Sequence, residues 1–298
     1  MNRDVLAAVF EHARKVDEWC ARNGGIRIVT ALFGSQNYGL ATTDSDVDTK
    51  SIIIPELNDW IWGDIDKYNK TIEMPDGSHA ETKALSEMCK QYIKGNINFL
   101  ETLYTDYVDI APGWEWIYNQ LIGVRDNISR NNMFRTGKSW IGYCRQALER
   151  ACESTSVSLG YREDVGYNPK SLMNAFRIKE TFIRFFQFNR PFDEAMNMSD
   201  MRGMLLDIKE SPMPFDVAWQ YAKDLYQWTD KAEKYLYEHY TDKQVFNTDF
   251  WCKCLCKTVY VVVGEDELTD PEPDERPRAK WQDEVGDWPN SNLKLFDI

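Results

Sequence analysis

The chain has 298 residues, 43% of them hydrophobic, and carries 48 Asp and Glu against 35 Lys and Arg, a formal net charge of −13. Such a length suggests two domains at roughly 150 residues each, with ample apolar content for a buried core, and the charge excludes a protein that coats nucleic acid non-specifically. No apolar run approaches the ~20 residues that span a bilayer, and Met1-Asn2-Arg3-Asp4 begins no signal-peptide pattern, so a cytoplasmic protein without membrane contact is expected.

Val5, Leu6, Val9, Phe10, Ala13, Val16, Trp19 and Cys20 recur at helical spacing, and Gly24-Gly25 ends that helix. Ile26 to Phe33 is apolar and β-branched, the pattern of a buried strand. Gly34-Ser35 then lets the backbone leave the strand and start a short helix whose free N–H groups can hold phosphate. Asp46 and Asp48 sit at the start of a second strand, Val47 to Ile54. Residues two apart on a strand share a face, so both carboxylates can converge on a pair of Mg²⁺ ions, about 3.5–4 Å apart in two-metal sites. Pro55 and Asn58-Asp59 mark a turn. Tyr68 to Met74 and Ser78 to Thr82 flank Pro75-Asp76-Gly77 as a β-hairpin, whose second arm brings Glu81 beside the Asp pair; Glu73 on the first arm is the alternative.

From Trp114 the pattern turns helical: Trp114 to Ile128, Thr136 to Cys152, Pro169 to Asn189, Ser199 to Lys209 and Pro214 to Tyr240, with Ser199 as an N-cap and Pro169 and Pro214 in first turns. The Pro169 to Asn189 helix is apolar round most of its circumference except for one stripe, Lys170, Asn174, Arg177, Thr181 and Arg184. A basic stripe on a buried helix needs anions, either a triphosphate in a cleft between the domains or Asp and Glu on neighbouring helices. The seven cysteines fit reduced thiols, and the one-residue gaps between Cys252, Cys254 and Cys256 do not match zinc spacing, so no structural metal is assigned. From Gly264 onward eleven Asp and Glu face four Lys and Arg, with four prolines, which reads as an acidic, weakly structured tail. Trp281, Trp288, Leu293, Leu295 and Phe296 suggest that part of it docks. The expected architecture is α+β: a mixed sheet core with flanking helices over 1–110, a helical domain over 111–263 and the tail over 264–298.

The Gly34-Ser35 turn followed by Asp46-x-Asp48 resembles the signature of the DNA polymerase β superfamily of nucleotidyltransferases. The wording "GSQNYGLATTDSDVDTKSIIIP" is most similar to the bacterial and phage RNA-repair-pathway (RlaP-type) branch. Glu81 to Tyr104, with its Gly-Asn-x-Asn segment, Tyr167 to Arg177 and Leu205 to Glu210 extend the similarity to roughly residues 25–235. The resemblance implies a nucleotidyltransferase-type core and a two-metal transfer of a nucleoside monophosphate from an NTP to an acceptor hydroxyl, with Mg²⁺ or alternatively Mn²⁺. Asp46, Asp48 and Glu81 would be the catalytic and metal-ligating residues, and Gly34, Ser35, Tyr38, Lys83, Lys170 and Arg177 the nucleotide-binding ones. Glu81 would help to deprotonate the acceptor, although this branch more often carries Asp there, and it usually carries His where this chain has Asn174. The acceptor implied by the family name is an RNA or tRNA end; a protein hydroxyl, or a non-catalytic nucleotide-binding interaction protein, are the alternatives.

Overall fold

A computed structural model describes residues 4–152, 161–211 and 213–268. Helix α1 (Val5–Asn23) is capped by Asp4, whose side chain accepts from Ala7 N–H at 3.1 Å, and it buries Val9, Ala13, Val16 and Cys20 along one stripe. Two glycines end it. Gly25 adopts φ 89°, and a Cβ there would lie 2.7 Å from the Tyr68 ring and 2.9 Å from the Ile54 carbonyl oxygen, so only glycine fits the entry to the sheet.

Five strands follow: β1 (Ile26–Phe33), β2 (Asp48–Ile54), β3 (Thr71–Glu73), β4 (His79–Ala84) and β5 (Val108–Ile110), in the spatial order β3-β4-β2-β1-β5. β1 pairs antiparallel with β2, Phe33 opposite Asp48, so the end of the first strand meets the start of the second. The hairpin around Pro75-Asp76-Gly77 forms as its turn residues demand, with β4 lying parallel to β2 and Lys50 opposite Glu81. That parallel pair makes the sheet mixed.

Each sheet face has its own cover. Ile53, Ala80 and Ala84 face Val16 and Cys20 of α1. Ile28, Ile52 and Ile54 point the other way into an apolar cluster that runs without a break into the helices as far as Val263. Those helices are α2 (Leu57–Trp62), α3 (Leu85–Ile93), α4 (Ile97–Leu100), α5 (Glu115–Gly123), α6 (Arg125–Ser129), α7 (Met133–Cys152), α8 (Pro169–Phe182), α9 (Phe192–Met196), α10 (Arg202–Glu210), α11 (Phe215–His239) and α12 (Thr248–Leu268). Trp140 of α7 is fully buried among Phe185, Phe186 and Phe192, and its indole N–H donates to Gly95 O at 2.8 Å, which ties the helical part to the turn after α3. The architecture is thus α+β, a mixed open sheet followed by a helical region.

Several boundaries differ from the sequence reading. Gly34-Ser35 opens a succession of hydrogen-bonded turns over 35–39 instead of a short helix, because Gly34 takes φ 96° and Asn37 and Leu40 N–H bond back to Gly34 and Ser35 carbonyls. β2 starts at Asp48, which leaves Asp46 in the preceding loop. The Trp114 to Ile128 segment breaks at Val124 into α5 and α6. α8 ends at Phe182 and continues as a π-helical turn over Ile183–Gln187. Ser199 begins a 3₁₀ turn without capping it, and Pro214 stands one residue before α11. α12 carries the chain on to Leu268, past the expected start of the tail at Gly264; the rest of the tail, with Trp281 and Trp288, lies outside the described residues. Among the described residues no helix is long and apolar enough to cross a membrane.

Candidate functional site

The end of β1, the start of β2 and the first turns of α8 meet around a cleft of about 270 Å³. One wall is built from Phe33, Gly34 and Ser35 and from the loop and strand residues Asp44, Asp46 and Asp48; the other carries Asn98, Tyr143, Lys170, Asn174, Arg177 and Lys209. The loop over Ala41–Asp46 is anchored from α10, where Arg202 donates to Gly39 O at 2.6 Å and Ala41 O at 2.5 Å. Three carboxylates therefore face three cations across the cleft.

Helix α8 enters this site because Asn168 caps it, accepting from Ser171 N–H at 3.0 Å, and Pro169 suits its first turn. The stripe read from the sequence then divides. Lys170 is exposed, Asn174 half-buried and Arg177 buried, and all three line the cleft. Arg177 lies with its guanidinium carbon 3.9 Å from the centroid of the Tyr38 ring, and its Nε and Nη1 have no hydrogen-bond partner. Arg184, further along, is instead bound by Glu180, Asp200 and the Asn197 carbonyl. Of the two explanations weighed for the stripe, neighbouring acids account for Arg184, while Lys170, Asn174 and Arg177 border the cleft.

On the carboxylate wall, Asp48 is flanked by His79, not by Glu81. The His79 Nδ1 lies 2.8 Å from Asp48 Oδ1, and its backbone N–H donates to the same oxygen at 3.2 Å. Burial pushes the Asp48 carboxyl up, but these bonds to His79 outweigh it and hold the group below its usual range; the same contact raises the His79 imidazole. Glu81 falls two pairs further along, opposite Lys50, because the parallel register advances it away from the cleft. Its oxygens are held by Lys50 and Lys83, and burial is again outweighed, so its carboxyl is lowered. Glu81 thus pairs with both Lys50 and Lys83, and neither Glu81 nor Lys83 lines the cleft. Glu73 lies on the edge strand β3, opposite His79.

The expected metal sites can be tested against these donors. Among the described residues no group of three or more His, Cys, Asp and Glu side chains is arranged to hold a metal ion. Asp46 and Asp48 with phosphate and water oxygens nevertheless fit Mg²⁺, which is commonly held by one or two carboxylates plus substrate phosphates and not by an all-protein cage.

Glu101 was not singled out by the sequence reading. It is 1% exposed, accepts from Gly34 N–H at 3.0 Å and from the Tyr38 hydroxyl at 2.7 Å, and burial raises its carboxyl despite those bonds. Two expected nucleotide contacts are accordingly engaged by the protein itself, the Gly34 amide and the Tyr38 hydroxyl. The signal for Glu101 was present as an acid inside the apolar run Ile97, Phe99, Leu100, Leu103 and Tyr104. Lys209 and Asn98 were also missed as individuals, although both fall in segments that carried the family resemblance. No family model matches the chain, and no curated protein matches it.

Proposed function

We propose that the chain is a Mg²⁺-dependent nucleotidyltransferase that moves a nucleoside monophosphate from an NTP to an acceptor hydroxyl. One observation carries the reading: Asp46 and Asp48, Lys170 and Arg177, and the Gly34-Ser35 turn all line a single cleft. Arg177 is the strongest part of it. A buried guanidinium with two unpaired nitrogens is costly to leave unsatisfied, and a phosphate that it turns to meet would satisfy them.

In this reading Lys170, Arg177 and Lys209 bind and orient the triphosphate, and Ser35 borders its path. Asp46 and Asp48 would hold Mg²⁺, which supplies charge neutralisation at the phosphates and Lewis acidity when bound. His79 fixes the orientation of the Asp48 carboxylate. Glu81 keeps Lys50 paired in the sheet. The acceptor is proposed as an RNA or tRNA end, with a protein hydroxyl as the second candidate, because the body of the chain carries little net charge once the acidic C-terminal segment is set aside.

The test is direct. Each α-labelled NTP is incubated with Mg²⁺ or Mn²⁺, an RNA pool and a cell lysate, and the labelled product is identified by nuclease and protease sensitivity. Transfer that is lost in Asp48→Asn supports the reading. No transfer and no NTP binding by calorimetry would sink it, whereas binding without transfer would favour a non-catalytic nucleotide-binding protein.

A further inference from the structure

The proposed reaction gives no role to Glu101, yet a carboxylate this deeply buried must replace its lost hydration with hydrogen bonds and countercharge. It stands in the 3₁₀ turn that follows α4 and uses its two oxygens separately, Oε2 for Gly34 N–H and Oε1 for the Tyr38 hydroxyl. Those bonds grip both ends of the Gly34–Tyr38 turn from behind the cleft. The turn is no regular helix and Gly34 takes the glycine-favouring φ of 96°, so the grip of Glu101 adds to the Asn37 and Leu40 N–H bonds in setting where Ser35 comes to rest. The Tyr38 ring, fixed by the same acid, is the surface on which the Arg177 guanidinium lies at 3.9 Å. Ser35, Tyr38 and Arg177 all border the cleft.

We infer that Glu101 is a positioning residue for nucleotide binding: it clamps the Gly34–Tyr38 turn so that Ser35 and, through the Tyr38 ring, Arg177 are in place before a phosphate arrives. The inference rests on the nucleotide reading of the cleft. Its physical content is pre-organisation. A ligand that must first order a turn and an arginine loses affinity to that ordering, and the clamp has done the ordering in advance.

The experiment titrates ATP, GTP, CTP and UTP with Mg²⁺ into the full chain by calorimetry and records melting temperature for each variant. Arg177→Ala and Glu101→Ala should each weaken the best-bound nucleotide on the order of 10-fold or more, the scale on which supporting residues act. Glu101→Gln should restore most of that affinity, since its carbonyl can accept from Gly34 N–H while its amide donates to the Tyr38 oxygen. Tyr38→Phe, which removes a single hydroxyl and leaves the buried carboxylate one donor short, should weaken binding several-fold while lowering the melting temperature less than Glu101→Ala does. If wild type binds no nucleotide, the reading of the cleft fails and the inference with it. If wild type binds and Arg177→Ala does not, but Glu101→Ala binds as tightly as wild type and merely melts earlier, the acid is structural and the inference is overturned. Should Glu101→Ala fail to fold, Tyr38→Phe decides, and wild-type affinity in that variant is the overturning result.

Discussion

Arg177 and Arg184 lie seven residues apart on one face of a continuous helical segment, both withdrawn from water. Arg184 meets Glu180 at 2.7 Å, Asp200 at 2.8 Å and the Asn197 carbonyl at 2.6 Å, so each of its three nitrogens is occupied. Arg177 meets a tyrosine ring and a cleft, and two of its nitrogens are left over. A third buried arginine, Arg27 on β1, behaves like Arg184, gripped by Asp17 and by Asp109. Helical period therefore decides which residues share a face. What the rest of the chain brings against that face decides whether a cation is a strut or a binding group: the 3₁₀ turn at Ser199–Met201 reaches Arg184, whereas among the described residues no carboxylate forms an ion pair with Arg177, Glu101 acting on it only from a distance.

The largest expected effect tests whether the unpaired half of the stripe waits for a phosphate that arrives with a metal. Asp48→Asn keeps the size of the side chain and removes the charge a cation requires, so turnover should fall by ~10²-fold or more while circular dichroism stays unchanged. The same variant made at Asp46 should behave alike. Retained turnover in the double Asn variant would remove the metal from the proposal and leave the arginine contrast without a ligand.

Next in size is the contrast itself. Arg184→Met should cost about 1–3 kcal/mol of stability, because it strands the Asn197 carbonyl and two carboxylates, and should leave nucleotide affinity nearly intact. Arg177→Met should do the reverse: a smaller change in melting temperature and a loss of NTP affinity of about 10-fold or more, the scale of a charge-assisted phosphate contact. If Arg184→Met proves the more damaging to binding, the division of the stripe is wrong.

Much of this was legible in the sequence where the physics is local. Ile26 to Phe33 is a strand because β-branched and apolar residues fill every position but Arg27 between Gly25 and Gly34, and the Pro75-Asp76-Gly77 turn fixed the hairpin. The convergence of Gly34, Ser35, Asp46, Asp48, Lys170 and Arg177 on one cleft followed from a motif order and a helical stripe. What was illegible depends on register and on distant partners. Placing Glu81 opposite Lys50 and His79 beside Asp48 requires knowing how a parallel strand slides against its neighbour, and a shift of two residues would bring Glu81 beside Asp48 instead. Glu101 read as one acid among apolar neighbours, because its partners Gly34 and Tyr38 lie more than sixty residues away.

A smaller effect separates Lys170 from Arg177 within the cleft-facing half. Lys170 is exposed and so acts through solvent, and Lys170→Ala should weaken NTP binding only a few-fold at low salt, with the difference fading as the Debye length shortens to ~3 Å near 1 M salt. The Arg177→Met loss should persist at the same salt, since a buried contact is screened much less. Equal salt sensitivity in the two variants would argue that Arg177 is reached by solvent.

The smallest effect concerns the carboxylate wall, where Asp48 and His79 act on each other in opposite directions. The contact raises His79, so its contribution to stability is complete below the unfolded imidazole value of ~6.5 and is lost as pH rises through the higher folded value. It also outweighs burial to lower Asp48, whose contribution is complete above the unfolded value of ~3.9 and is lost as pH falls through the lower folded one. The pair is therefore at full strength between about pH 4 and 6.5. Because His79 is 37% exposed, solvent screening keeps the whole contribution below ~1 kcal/mol. Melting temperatures of wild type and His79→Gln should differ most inside that window and converge as pH rises above it. A gap that instead widens toward alkaline pH would mean that His79 stabilises the wall as a neutral ring, through packing on Phe33 at 6.0 Å and not through charge.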